Sequence, residues 1–125
     1  FRIIRATGPD AADFPGFYRV VWNDHVAEFS DLAEADQLLC LRAVSAVERV
    51  LRDQLAPTKV NLAALGNMVP HLHWHVIARH DWDSRWPAPV WAAPQRTADP
   101  QRLAELHARL ADCDAAIAAT AAQIF

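Results

Sequence analysis

The chain has 125 residues, which fits one domain with a real core. Its formal charge of −3 gives no general attraction to nucleic acid or to an anionic membrane, so any phosphate it binds must be held locally. No apolar run approaches the ~18 residues of a membrane span, and the opening Phe1-Arg2-Ile3-Ile4-Arg5 is too short and too charged for a signal peptide.

The first residue is not Met, which points to a preceding segment. Cys40 and Cys113 both fall in expected helices and do not form a closely spaced pair; they read as reduced core thiols of a cytoplasmic protein, ahead of a disulfide.

Residues 1–5 read as a short strand, followed by the turn cluster Thr7-Gly8-Pro9-Asp10. A second strand over 17–22 puts Phe17, Arg19 and Val21 on one face and Tyr18, Val20 and Trp22 on the other. Arg19 is either a solvated edge charge or a phosphate contact. His25 follows in a polar turn. Ser30-Asp31 with Glu34 resembles a helix start, and the helix runs to about residue 55, where Pro57 prevents continuation. Leu38, Leu41, Val44, Val47, Val50 and Leu51 recur at three and four residues and predict its buried stripe.

A strand over 60–65, a Gly66-Asn67 loop ending at Pro70, and a further strand form an antiparallel hairpin. The segment 80–91 carries Trp82, Trp86 and Trp91 among prolines. That is too much aromatic surface to lie free in water. It either wraps the body or a partner subunit, the favoured reading, or forms a lid that stacks on a nucleobase. Asp99-Pro100 starts a last helix that reaches about residue 122, with Asp as N-cap and Pro at the first helical position. Leu103, Leu106, Leu110, Cys113 and Ile117 form a narrow seam on it, suited to packing within the subunit or between subunits.

The second strand of the hairpin holds the chemistry. In His71-Leu72-His73-Trp74-His75-Val76-Ile77, three histidines alternate with apolar residues, so the imidazoles share one face and Leu72, Trp74 and Val76 the other. Three imidazoles in a row are seldom needed for packing. On a regular strand neighbouring histidines lie about 6.6 Å apart and the outer two about 13 Å. Zn–N bonds are about 2.0–2.1 Å, so all three cannot share one metal ion, and a metal site would need two of them plus outside ligands. The other option is nucleophilic catalysis. Imidazole titrates near neutral pH and attacks phosphorus well. The middle ring would attack while the flanking rings orient it and share positive charge.

These residues carry a resemblance. His-φ-His-φ-His-φ-φ, with φ apolar, resembles the signature of the histidine triad (HIT) family of nucleotide hydrolases and transferases. Asn61, the turn at Gly66-Asn67, and Val69 are placed as in that family, and His25 in Asn23-Asp24-His25-Val26, shortly before Asp31-Leu32, resembles its earlier motif. The resemblance covers roughly residues 16–80. It implies that His73 attacks the α-phosphorus of a nucleotide and forms a nucleotidyl-histidine intermediate, which water or another acceptor resolves. His71 and His75 would flank and support it, with Asn61, Asn67 and His25 as substrate-binding or supporting residues. It also implies a twofold dimer with a joined sheet. Two positions depart from the family: Asn67 stands where Gln is usual and Met68 where Ser or Thr is usual. Asn is shorter, and Met cannot donate a hydrogen bond.

The resulting expectation is an α+β domain, an antiparallel sheet with one long helix and a C-terminal helix. Residues 1–98 form the HIT-like domain, and residues 99–125 join the same unit or a dimer contact. The expected partner is a small-molecule nucleotide, with a homodimer and without nucleic acid or membrane. No cofactor is required, although Mg²⁺ can accompany the substrate. Two other readings stand beside the enzyme: a nucleotide sensor without catalysis, and a metal-binding protein using His71 and His73, or His73 and His75.

Overall fold

The computed structural model describes the backbone of residues 1–125 and every side chain but that of Asp10. Strands β1 (Arg2–Arg5), β2 (Phe17–Val21), β3 (Lys59–Ala63) and β4 (His73–Arg79) form one antiparallel sheet in the order β1-β2-β4-β3. Helix α1 (Pro9–Asp13) links the first two strands, in the stretch expected as a turn. The long helix α2 (Glu34–Leu55) crosses one sheet face, and α3 (Pro100–His107) and α4 (Leu110–Ile124) close the chain. This is the expected α+β arrangement, and the β3–β4 hairpin is the expected one.

Alternation along the strands creates two apolar faces. Tyr18, Val20, Val60, Val76 and Ala78 pack against Val44, Val47 and Leu51 of α2 and against Cys113 and Ile117 of α4. On the opposite face Phe17 and Ile77 meet Ala6, Phe14 and Val90. Gly16 is required where these layers meet: a Cβ there would lie 2.7 Å from Leu55 Cδ1 and 2.8 Å from Ala78 Cβ. Its carbonyl also accepts the Ala78 N–H at 2.8 Å.

Besides the short α1, three features differ from their expectation. Ser30 and Asp31 do not start α2. They lie in a 3-10 turn (Phe29–Asp31) closed by a reciprocal Glu28–Asp31 capping box, and α2 begins three residues past Asp31, after Ala33, with no side-chain cap. The local turn used the capping chemistry first. The buried residues of α2 are Cys40, Ala43, Val44, Ala46, Val47, Val50, Leu51 and Leu55, so Val44, Val47, Val50 and Leu51 are buried as expected, whereas Leu38 and Leu41 are exposed, 57 % and 43 %. At ~100° per residue Leu38 lies roughly half a turn around the helix from Val47, so one face cannot bury both.

The C-terminal helix is broken in two. Arg109 N–H bonds Leu106 C=O at 3.0 Å, which tightens the chain between α3 and α4. The seam survives the break: Leu106, Leu110, Cys113 and Ile117 are buried, and α4 packs on α2 within the subunit. Asp99 does cap α3, accepting the Gln101 N–H at 2.9 Å.

Candidate functional site

β4 lies between β2 and β3, and the register opposes Val21 to His73, Arg19 to His75 and Ala63 to His75. His73, His75, Ile77 and Arg79 therefore line the face opposite α2. His71 lies just before the regular strand. Two backbone bonds carry the line of the chain on to it: Trp22 N–H to Leu72 C=O at 3.0 Å and Leu72 N–H to Val26 C=O at 2.8 Å.

The hydrogen bonds assign the tautomers, because a carbonyl oxygen only accepts. His73 Nδ1–H donates to the carbonyl of His71 at 2.7 Å. In neutral His73 the lone pair then sits on Nε2. That atom makes no hydrogen bond among the described residues and is reached by solvent on a half-buried ring. His71 Nε2–H donates to the carbonyl of Trp22 at 2.6 Å, and His71 Nδ1 lies 3.2 Å from His25 Nδ1. With His71 neutral, His25 Nδ1–H is the donor, so the polar turn holding His25 does reach the first triad histidine.

His75 is different. It is buried, edge-on to His73 at 4.9 Å between ring centroids, and also packed by Phe17 and Trp91 at 5.5 and 5.0 Å. Burial first, then His73 and the Arg19 charge, push its pKa down to about 4. The ring is therefore neutral at pH 7, and its positive charge is not available to a ligand in the free protein.

Asn61 shares the triad face but stands opposite Ile77, about 13 Å along the sheet from His73's row. Its Oδ1 accepts a 2.8 Å bond from Arg79. Asn67 and Met68 are exposed in the loop, Met68 at 94 %, and the Asn67 side chain makes no hydrogen bond among the described residues. Gly66 of that loop, with His71 and His73, borders a small cavity of about 80 Å³.

Sequence reasoning gave no role to Arg79. It is 1 % exposed and clamps Asp83 through two bonds of 2.8 and 3.0 Å, then the carbonyl of Ala88 at 2.8 Å. Burial would raise the Asp83 pKa, but the Arg79 pair and the N–H groups of Arg85 and His80 hold it below the usual range. The bracket fixes the tryptophan-proline segment across the triad face. The alternation 71-73-75-77-79 followed by an acid four residues on was the available signal. The segment wraps the body, with Asp83, Ser84 and Val90 buried and Trp91 half-exposed against His75.

A family model described as "HIT domain" matches residues 5–82. Solved structures agree. A histidine triad protein from Bradyrhizobium japonicum is 33 % identical, with a TM-score of 0.66 over 91 % of this chain and 78 % of the other. The chain belongs to the HIT family. Histidine triad proteins from Marinobacter aquaeolei VT8 (31 % identical, TM-score 0.62, 80 % and 76 % of the two chains) and Sinorhizobium meliloti 1021 (31 %, 0.61, 77 % and 73 %) are similar in the same way. Comparison with curated proteins gave no match.

The HIT family is one of nucleotide-binding hydrolases and transferases, and this HIT chain keeps all three histidines of the signature. Among the described residues, no three His, Cys, Asp or Glu side chains converge as metal ligands. Among the described residues, no helix is long and apolar enough to cross a membrane.

Proposed function

We propose that this HIT protein is a nucleotide hydrolase or nucleotidyl transferase acting through His73. The observation that carries the reading is the bond from His73 Nδ1–H to the carbonyl of His71, which leaves Nε2 with its lone pair on an open ring. Nε2 attacks the α-phosphorus, the N–P bond forms, and the bond to the leaving group breaks with its electron pair on the leaving group. Water then attacks the nucleotidyl-histidine, Nε2 departs with the N–P electrons, and a nucleoside monophosphate is released with a proton to solvent. Throughout, the His71 carbonyl steadies the imidazolium-like ring by accepting from Nδ1.

His71 and His25 act as a hydrogen-bonded pair at the mouth of the site. Asn67, free in the loop, closes on the phosphate or ribose, and Asn61 supports the far wall through Arg79. His75 packs and orients His73 as a neutral ring. No cofactor is needed on this reading, although Mg²⁺ can travel with the nucleotide. The reading includes a cytoplasmic homodimer. The edge strand β3, with Leu62 exposed at 43 %, and Leu65 just beyond it at 51 % offer surface for it.

The test is labelling. Incubation with α-³²P nucleotide and acid-sensitive trapping should give a radiolabelled chain that His73→Ala abolishes. Equal labelling of the variant removes His73 as nucleophile. A chain that binds nucleoside monophosphate yet never labels or turns over a substrate is instead a sensor. The exposed Met68, unable to donate a hydrogen bond where the family usually has a hydroxyl, is the specific observation on that side.

A further inference from the structure

The small cavity of about 80 Å³ at His71 and His73 has a further wall. Glu28 and Phe29 line it as well. It is well below the ~300 Å³ of ordinary ligand pockets, but it has room for a few water molecules. Its titratable side chains are Glu28, His71 and His73, so Glu28 is the one carboxylate in the lining. His73 is the nucleophile of the reading above. Both nitrogens of His71 are engaged, Nε2 with the carbonyl of Trp22 and Nδ1 with His25. His75 does not line the cavity. That leaves Glu28 as the free proton acceptor there, and it forms no salt bridge among the described residues.

The backbone holds this carboxylate beside the triad strand. Val26 C=O accepts the Leu72 N–H at 2.8 Å, and Phe29 packs edge-on against Trp74 at 5.7 Å between centroids. The segment that carries Glu28 is thus tied to the residues on either side of His73. The 3-10 turn adds to this. Asp31 Oδ2 accepts the Glu28 N–H at 3.2 Å, and the Asp31 N–H meets the Glu28 carboxylate in the other half of the capping box. A carboxylate has about four lone-pair sites, so most of its accepting capacity is left for water.

We propose that Glu28 is the general base of the second chemical step. It takes the proton of the water that attacks the nucleotidyl-histidine. This deepens the reading above and rests on it. The first step needs no such base, because Nε2 already carries its lone pair. Water is a poor nucleophile unless a proton leaves as it attacks. As the water oxygen bonds to phosphorus, its proton passes to the Glu28 carboxylate. The N–P bond breaks with its electron pair on Nε2, which restores a neutral ring with Nδ1–H still on the His71 carbonyl. Glu28 then gives its proton to solvent.

Single-turnover labelling of the full chain with α-³²P nucleotide separates the two steps. In Glu28→Gln the rate of labelling should stay within about twofold. Decay of the labelled chain after a chase should slow about a hundredfold, so label accumulates. Gln keeps an oxygen for the Asp31 N–H, so the turn is preserved, and circular dichroism melts check the fold. Glu28→Asp should decay at an intermediate rate. Added formate should speed decay in Glu28→Ala and leave the unmodified protein unchanged, an effect that a merely structural residue would not show.

The base is overturned if folded Glu28→Gln decays as fast as the unmodified protein. It is also overturned if labelling slows as much as decay, or if formate does nothing for folded Glu28→Ala. These outcomes leave His73 as nucleophile. An unmodified protein that turns nucleotide over without ever carrying label on His73 sinks the nucleophile and the base together.

Discussion

His73 and His75 are two residues apart on one face of one strand, yet the surroundings give them opposite characters. His73 has a carbonyl to hold its Nδ1–H and an open Nε2. His75 is closed in by Phe17, Trp91 and His73, and its Nδ1 is buried without a hydrogen-bond partner among the described residues. The depressed pKa of His75 makes a stability prediction with a definite sign. Between its folded value of about 4 and its ordinary value of 6.5, the unfolded chain binds a proton that the folded chain refuses. Stability should therefore be complete above about pH 6.5 and fall as the pH drops toward 4. His80, also lowered, chiefly by burial, adds in the same sense. Melting temperatures from pH 7 to pH 4.5 should decline, and His75→Gln should flatten part of that decline. An NMR titration that places His75 near 6.5 would defeat the argument.

At the scale of elements, the Arg79–Asp83 bracket joins the end of β4 to the segment that covers the triad face. The pair is almost fully buried, at 2 % and 3 % side-chain exposure. Removing one partner strands the other charge, so Arg79→Met should cost about 3–5 kcal/mol of stability. The double change Arg79→Met, Asp83→Leu should recover part of it, and chemical denaturation of the three proteins checks both statements. The α2 face gives an independent comparison. Val47→Ala, in the core at 1 % exposure, should cost about 1–3 kcal/mol. Leu38→Gln, on the solvent side, should stay within about 0.5 kcal/mol. Equal costs would mean that the helix is rotated from the orientation described.

Across the whole molecule, the helix pair at the C-terminus shares the core of the sheet. Cys113 and Ile117 belong to the same cluster as Val20, Val47 and Val76. Residues 99–125 should therefore melt with the sheet and not before it. Ile117→Ala should lower stability by about 2–5 kcal/mol and move a single transition, seen alike by far-ultraviolet circular dichroism and tryptophan fluorescence. Two separated transitions would mean an independent terminal unit. At the edge of this core the buried Tyr18 of β2 donates its O–H to Asp114 at 2.6 Å and Arg5 of β1 pairs with the same carboxylate, so both strands are also tied to α4.

Periodicity alone located the strands of the hairpin, the two-faced β2 and the existence of α2, because side-chain alternation and the 3.6-residue turn are local properties of the chain. The motif placed His71, His73 and His75 on one chain segment and led to the family. The three-residue spacing of Leu38 and Leu41 from Val44 suggests a stripe that drifts around the helix; the ~100° turn per residue favours Cys40 and Ala43 beside Val47, and packing on the sheet buries those two and leaves Leu38 and Leu41 outside. The spacing of Arg79 and Asp83 hints at a pair, but it could not state that the pair would be buried, or that His75 would be buried beside Arg19 while His73 is only half-buried. Those outcomes depend on cross-strand register and on what the tryptophan-proline segment covers. Burial and the nearness of charge, which set the protonation of each ring, arise only when distant stretches of chain pack together.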